Sequence, residues 1–234
     1  MSRANDASSE HRSALPGGTR LHNYVLERVL GAGGFGITYM AREDVTGRAV
    51  AIKEYLPSAL AVRVRDGLTV QPVSEGTRPD FEWGLTRFRQ EAKLLLSLRH
   101  PNIVPSLNYF ESNGTAYLVM EYQEGQTLTQ LMSGGSVLEE SEVREFLDGL
   151  LDGVEAVHKG GLLHRDIKPD NIFIRRDGTP VLIDFGAARQ AVTRQSRGLT
   201  AIVTEGYAPY EQYETDSHQG PWTDIYALGA VLYH

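Results

Sequence analysis

Eight consecutive residues, His164-Arg165-Asp166-Ile167-Lys168-Pro169-Asp170-Asn171, constrain this chain more than any other stretch. They follow a long amphipathic segment that ends at Gly160-Gly161 and precede two short apolar runs, residues 172–174 and 181–183, so they form a loop. Loops held by flanking elements are where binding and catalytic groups concentrate. Within this one Asp166, Lys168 and Asn171 crowd together, and a second acid, Asp184, follows the second apolar run. Two carboxylates and a carboxamide can hold a hard divalent cation through oxygen while one carboxylate accepts a proton. A lysine two residues from that base can neutralise charge on a transferred group. Solvated charges on a polar loop would use the same residues, and the octapeptide alone leaves both readings open.

Upstream, residues 24–30, 37–42 and 49–54 read as three strands of an antiparallel sheet. Between the first two lies Gly31-Ala32-Gly33-Gly34-Phe35-Gly36. Its glycines let backbone N–H groups approach phosphate oxygens that side chains would block, although a tight hairpin would ask for the same residues. The segment leads into a strand and not a helix, unlike a dinucleotide-binding fingerprint. Lys53 ends the third run, and residues 82–99 read as a helix with Phe88, Glu91, Leu95 and Leu98 on one face. A carboxylate in an apolar stripe demands a cation, because an unpaired buried charge costs about 3–5 kcal/mol.

Other stretches read as scaffold. Residues 1–20 show no apolar period and predict a flexible tail. Val62, Val64, Leu68 and Val70 around Asp66-Gly67 predict a small hairpin inside an insert over residues 55–79. His100-Pro101 closes the first helix. Residues 104–110 and 116–121 predict two strands joined at Asn113-Gly114. A second helix is expected over 139–158, with Val143, Phe146, Leu147, Leu150, Leu151, Val154 and Val157 as its apolar face.

In this order, the glycine segment, Val50-Ala51-Ile52-Lys53, Glu91, the octapeptide, Asp184-Phe185-Gly186 and Pro209-Tyr210-Glu211 resemble the motifs of the eukaryotic-type serine/threonine protein kinases found in bacteria. The resemblance runs from about residue 24 to the last residue. It implies an α+β, two-lobed protein-kinase-like fold. The expected parts are a β-rich N-lobe over about 21–120 with one helix, a hinge at about 121–125, and a helical C-lobe over about 126–234 lacking its last helices. It also implies ATP with Mg²⁺, or Mn²⁺, held between the lobes, and γ-phosphoryl transfer to Ser or Thr hydroxyls of protein substrates.

By the same resemblance Asp166 accepts or orients the hydroxyl proton, Asn171 and Asp184 hold the metal, and Lys168 contacts the γ-phosphate. Lys53, paired with Glu91, orients the α- and β-phosphates. The nucleotide is expected against Leu30, Gly31, Ala32, Gly33, Gly34, Phe35, Gly36, Ala51 and Thr38, the last replacing the family's usual valine. Met120 lines the back of the pocket, Phe173 its floor, and the backbone of Glu121 and Gln123 meets the adenine edge. His164 is expected to be structural, packing on Phe185. Ser106 stands where the family generally has an apolar residue. Thr193, Ser196 and Thr200 are candidate phosphosites facing Arg165, with autophosphorylation through transient self-association, and Thr204 aligns with a substrate-facing position. Glu211 is expected to pair with an arginine beyond this chain.

Composition excludes other classes. A formal charge of −7 argues against broad nucleic-acid binding, with Arg165, Arg189, Arg194 and Arg197 as a local exception. The chain has no cysteine, hence no disulfide framework or thiol chemistry. No apolar run is long enough to cross a bilayer and no signal region opens the chain, so a cytoplasmic location is expected. Two rival functions use the same fold: an inactive nucleotide- or partner-binding module, and a small-molecule phosphotransferase. Because the sequence stops within an expected helix, exposed apolar surface is expected there.

Overall fold

A computed structural model describes residues 13–135, 139–186, 206–213 and 217–233. It divides into two compact units, one comprising residues up to Ala92 with Ser106–Tyr122, the other Lys93–Pro105 with the rest from Gln123 onward. Residues 93–105, expected with the first half, thus cluster with the second.

The first unit is built on a six-stranded antiparallel sheet of β1 (Arg20–Leu21), β2 (Tyr24–Gly33), β3 (Gly36–Glu43), β4 (Ala49–Tyr55), β7 (Ser106–Ser112) and β8 (Thr115–Glu121), in the order β1-β2-β3-β4-β8-β7. Alternation fixes its register. Thr38, Lys53 and Leu118 face one another across three strands, as do Met40, Ala51 and Met120 two residues along, so all six lie on one face. On the other face Tyr39, Ile52 and Val119 are fully buried. Asn113 and Gly114, both at positive φ, close the β7–β8 hairpin as the Asn-Gly pair predicts.

The predicted insert hairpin forms as β5 (Ala61–Arg63) paired with β6 (Val70–Pro72). Helix α1 (Arg78–Ser97) starts one turn earlier than its apolar period suggests. Pro79 is the reason: in a first helical turn its missing N–H would have no partner anyway, so it begins the helix where it was read as ending the insert. Phe81 and Phe88 of α1 pack on Tyr55 with ring centroids 5.4 and 5.7 Å apart.

The expectation of a flexible tail over residues 1–20 requires correction from residue 13 onward. Leu15 is buried and its N–H donates to the Tyr39 hydroxyl at 3.1 Å. The Ser13 carbonyl accepts from Arg63 Nε at 2.7 Å, and Gly18 N–H donates to Leu26 O at 2.7 Å. A single leucine gives no period to read, yet it suffices to fix the segment when the backbone beside it is also bonded.

The second unit carries β9 (Gly125–Thr127), α2 (Leu128–Ser133), α3 (Glu140–Lys159), β10 (Ile172–Arg175), β11 (Pro180–Leu182) and α4 (Pro221–Tyr233). Strands β9, β10 and β11 form a three-stranded antiparallel sheet with β10 central. Its core joins Leu150 and Val154 of α3 to Ile167, Ile172, Leu182 and Leu228. Leu151, expected on the apolar face of α3, is instead 38% exposed, because the buried stripe runs through Leu150, Gly153, Val154 and Val157. On α4, Trp222 is 58% and Tyr233 89% exposed, with Ile225, Tyr226 and Leu232 also open. No helix among the described residues is long and apolar enough to cross a membrane.

Candidate active site

In the first unit the glycine segment forms the tip of the β2–β3 hairpin, with Gly33 paired to Gly36 and Gly34-Phe35 at the turn. The tip is tied down from behind. Leu56 N–H donates to Phe35 O at 3.2 Å and Ser58 N–H to Gly34 O at 3.0 Å. Gly36 is required by close approach, since a Cβ there would stand 2.1 Å from the Glu54 carbonyl oxygen. Thr38, Ala51, Lys53 and Met120 share the sheet face described above, and Leu30 is partly exposed on β2. Lys53 and Glu91 are both buried, Glu91 at 6% exposure among Phe88, Ala92 and Leu95. The apolar stripe read from the sequence is therefore real, with an acid inside it.

In the second unit the octapeptide is the loop between α3 and β10. Asn171 Nδ2 donates to both Asp166 Oδ2 and Asp166 O at 2.8 Å, and Lys168 Nζ lies 3.4 Å from Asp166 Oδ2. Base, cation and carboxamide thus sit within one hydrogen-bonded cluster. Pro169–Asn171 forms a 3-10 turn, and the Asn171 backbone bonds Lys168 O and Ile183 N, so the turn is locked to the segment that leads into Asp184.

Two backbone positions, Arg165 and Asp184, take φ of +63°, a conformation rare outside glycine. Asp224 on α4 holds the first of them: Oδ2 accepts the His164 N–H at 2.9 Å and Oδ1 the Arg165 N–H at 2.7 Å. His158 Nε2 bonds the same Oδ2 at 2.8 Å. Burial alone would raise the Asp224 carboxyl, but the bonds from His158 and from the two backbone amides more than offset it and hold it below its ordinary value. The Arg165 carbonyl also accepts from Gln212 Nε2 at 2.8 Å, and Arg165 Nε donates to Gln219 Oε1 at 3.1 Å.

His164 is fully buried, and burial pushes its pKa down. Its Nε2 meets the Ile183 carbonyl at 3.0 Å and its Nδ1 accepts the Asp166 N–H at 3.3 Å. Only a neutral ring with its proton on Nε2 satisfies both. The ring also packs on Phe185 at 4.6 Å between centroids, so its role is structural, as the resemblance implied.

The donor set suits a magnesium-like cation shared with phosphates. Among the described residues no group of three or more acidic, histidine or cysteine side chains is placed to hold a metal ion, and Mg²⁺ asks for none: one or two protein oxygens with phosphate and water complete its octahedron. With Asn171 Nδ2 committed to Asp166, its Oδ1 is the atom left to offer.

The profile described as protein kinase domain matches residues 24–234. This chain belongs to the protein kinase domain family. The kinase domain is 38% identical over 224 residues to serine/threonine-protein kinase PknA of Nostoc sp. (strain PCC 7120), covering 88% of this chain and 37% of that protein. It is 32% identical over 215 residues to serine/threonine-protein kinase Nek1 of Mus musculus, covering 91% of this chain and 16% of that protein. It therefore spans little more than a third of the length of the first of these relatives and about a sixth of the second. Among solved structures, the apo form of PpkA-294 superposes with a TM-score of 0.83 at 41% identity, covering 94% of this chain and 78% of that one. The kinase domain of Mycobacterium tuberculosis PknI, at 23% identity and a TM-score of 0.69, shares the fold.

Within the kinase domain, Phe173 lies on β10 between Thr127 of β9 and Val181 of β11. Glu121 ends β8, and Gln123 Oε1 accepts from Arg175 Nε at 2.7 Å. Glu211 accepts the Thr223 hydroxyl at 2.8 Å. Thr193, Ser196, Thr200, Thr204, Arg189, Arg194 and Arg197 lie outside the described residues. Two residues that position the site were not assigned roles from the sequence, His158 and Asp224. Their signal was an ionisable group inside an otherwise apolar helical stretch, the same signal that singled out Glu91.

Proposed function

We propose that this kinase domain transfers the γ-phosphoryl group of ATP to Ser and Thr hydroxyls of protein substrates. The observation that carries the reading is the Asp166–Asn171–Lys168 cluster: a nearly buried carboxylate oriented by a carboxamide at 2.8 Å, with an ammonium at 3.4 Å. Asp166 would orient the incoming hydroxyl and take its proton, and Lys168 would neutralise charge on the transferred group. Asn171 Oδ1 and Asp184 would hold Mg²⁺, which when bound offsets phosphate charge. The glycine turn and Lys53, paired with Glu91, would hold the phosphates, with Leu30, Thr38, Ala51, Met120, Phe173 and the backbone of Glu121 and Gln123 receiving the base.

The test presents the purified chain with radiolabelled ATP, magnesium, a mixture of protein substrates and, in parallel, common metabolites. Label on Ser or Thr that disappears in Asp166→Asn supports the reading. Nucleotide binding without turnover would identify a binding module, and label on metabolites alone a small-molecule phosphotransferase.

Control by autophosphorylation at Thr193, Ser196 or Thr200, through transient self-association, belongs to the same proposal. A phosphate there would form charge-assisted bonds with Arg165, whose Nε donates to Gln219 Oε1 at 3.1 Å. Mass spectrometry after incubation with Mg-ATP checks it; an unmodified segment in a fully active enzyme would remove the idea.

A further inference from the structure

The insert that follows Lys53 has no part in the chemistry proposed above, yet its first residues hold the glycine turn. Strand β3 pairs with β4 as far as Gly36 opposite Tyr55, and the bonding continues past both strand ends. Leu56 N–H donates to Phe35 O at 3.2 Å and Ser58 N–H to Gly34 O at 3.0 Å, so both residues of the turn are gripped by their carbonyls. A trans peptide points its C=O and its N–H in opposite directions. The N–H groups of Phe35 and Gly36, which share those two peptide planes, are therefore aimed away from the insert. Backbone N–H groups fixed in direction are what an anion such as a phosphate binds.

The grip is itself anchored. Pro57 O accepts from the Leu60 and Ala61 N–H groups, both at 2.9 Å, which makes residues 57–60 a tight turn with Ser58 in second place. Leu56 and Leu60 are buried, and Leu60 O accepts the Val73 N–H at 2.9 Å beyond the end of β6. The β5–β6 hairpin is fixed in its turn: Val70 N–H donates to Asn113 O at 2.8 Å, and Arg63 pairs with the buried Glu54 of β4. The glycine turn thus leans on a braced segment and not on a loose connection. Ser58 Oγ lies 3.4 Å from Gly34 O, too far for a strong O–H···O bond, so the backbone N–H carries the grip.

We propose that the insert is a backstop for the phosphate-binding turn, and that Ser58, through its backbone N–H, is a positioning residue that orders this turn before a nucleotide arrives. A turn ordered in advance loses less freedom on binding, so affinity rises for any ligand that reaches it. Di- and triphosphates reach it, whereas a nucleoside without phosphates gains nothing. The inference rests on the reading of the glycine turn as a phosphate site, although the ordering itself needs no nucleotide.

The experiment compares the 234-residue chain with Ser58→Pro and Ser58→Ala. Proline has no N–H to donate, and the second place of such a turn favours it; Ser58 is not among the residues at positive φ. The variant should therefore fold, which thermal melting by circular dichroism checks. Val73→Pro, at a residue 56% exposed, cuts the anchor on Leu60 instead and should loosen the turn in the same direction, so a misfolded Ser58→Pro does not end the test. Hydrogen exchange without nucleotide is expected to quicken at the amides of residues 33–36 in Ser58→Pro. Calorimetric titrations of the same chains with ATP and ADP, each with magnesium, should show affinity falling roughly three- to tenfold, the range of one hydrogen bond. Affinity for adenosine should hold, and Ser58→Ala, which keeps the N–H, should restore the parent's exchange and binding. Unchanged exchange in the folded proline variants overturns the proposal. So does an equal loss for ATP and adenosine, or an alanine variant as weak as the proline one. If exchange quickens as expected but the parent binds ATP no better than adenosine, the backstop stands and the phosphate-site reading of the glycine turn falls.

Discussion

Arg63 Nη2 stands 2.5 Å from Glu54 Oε2, with both side chains buried, and this ion pair fastens the β5–β6 hairpin to the strand that carries Lys53. Both Glu54 oxygens are bonded: Oε2 also accepts from the Tyr39 hydroxyl at 2.9 Å and Oε1 from the Tyr117 hydroxyl at 2.8 Å. Arg63 also donates from Nε to the Ser13 carbonyl and from Nη1 to the Leu68 carbonyl, both at 2.7 Å. Burial and the neighbouring carboxylate push both tyrosines up, so they stay protonated donors. The insert is thus part of the first unit's framework.

Arg63→Met should strand a charged carboxylate in the core and cost about 3–5 kcal/mol. The double variant Arg63→Met with Glu54→Gln should recover part of that loss, because no charge is left unpaired. Urea unfolding followed by fluorescence checks both. A loss below about 1 kcal/mol for the single variant, the range of an exposed pair, would show that the pair is solvated.

Gly36 and Gly33 separate folding from binding. Gly36→Ala pushes a methyl into the Glu54 carbonyl and should lower both thermal stability and nucleotide affinity. Gly33→Ala meets nothing within 4 Å, so stability should hold. If the glycine turn approaches phosphates, the added methyl should still weaken ATP binding, by roughly tenfold. Calorimetric titration with ATP and magnesium measures it. Unchanged affinity in Gly33→Ala would leave the turn as a hairpin and no more.

The parts of the fold that were legible in the sequence are those set by local rules. Alternation gave β2, β3 and β4, and the Asn113-Gly114 and Asp66-Gly67 pairs gave their hairpins. Glu91 was legible because an acid at helical spacing among Phe88 and Leu95 has to be explained. What escaped depends on pairing across distance. Nothing near Glu54 announces Arg63, which reaches it only because an inserted hairpin folds back. Asp224 serves amides sixty and fifty-nine residues away, through backbone atoms that carry no sequence signal. Pro79 misled because proline was read as ending an element where it begins a helix, and Leu15 because one apolar residue sets no period.

Ser106 offers a test of packing beside Met120, its cross-strand neighbour. Its Oγ is buried and has no hydrogen-bond partner among the described residues. A buried unsatisfied hydroxyl costs about 1–3 kcal/mol. Ser106→Ala should therefore stabilise the chain, by about 1 kcal/mol, and raise its melting temperature. A clear loss of stability would mean that the hydroxyl is bonded in solution.

His164 should give the chain a pH dependence whose sign follows from its burial. In the folded state its pKa is below the ordinary imidazole value of 6.5, and the neutral ring serves Ile183 O and the Asp166 N–H. The unfolded chain takes up a proton on this residue as pH falls through 6.5, which the folded chain refuses. Unfolding then binds a proton, so stability is full above 6.5 and declines as pH drops toward the folded pKa, by up to about 1.4 kcal/mol per pH unit. Asp224, held below its ordinary value of 3.8, contributes only at lower pH and leaves the window from 7 to 5 to His164. His164→Phe should cost stability at every pH, because Ile183 O loses its donor. Its stability should nevertheless fall less steeply between pH 7 and 5 than that of the parent. Urea unfolding without metal or nucleotide across that range measures the two slopes, and equal slopes would mean that His164 takes up its proton without leaving the core.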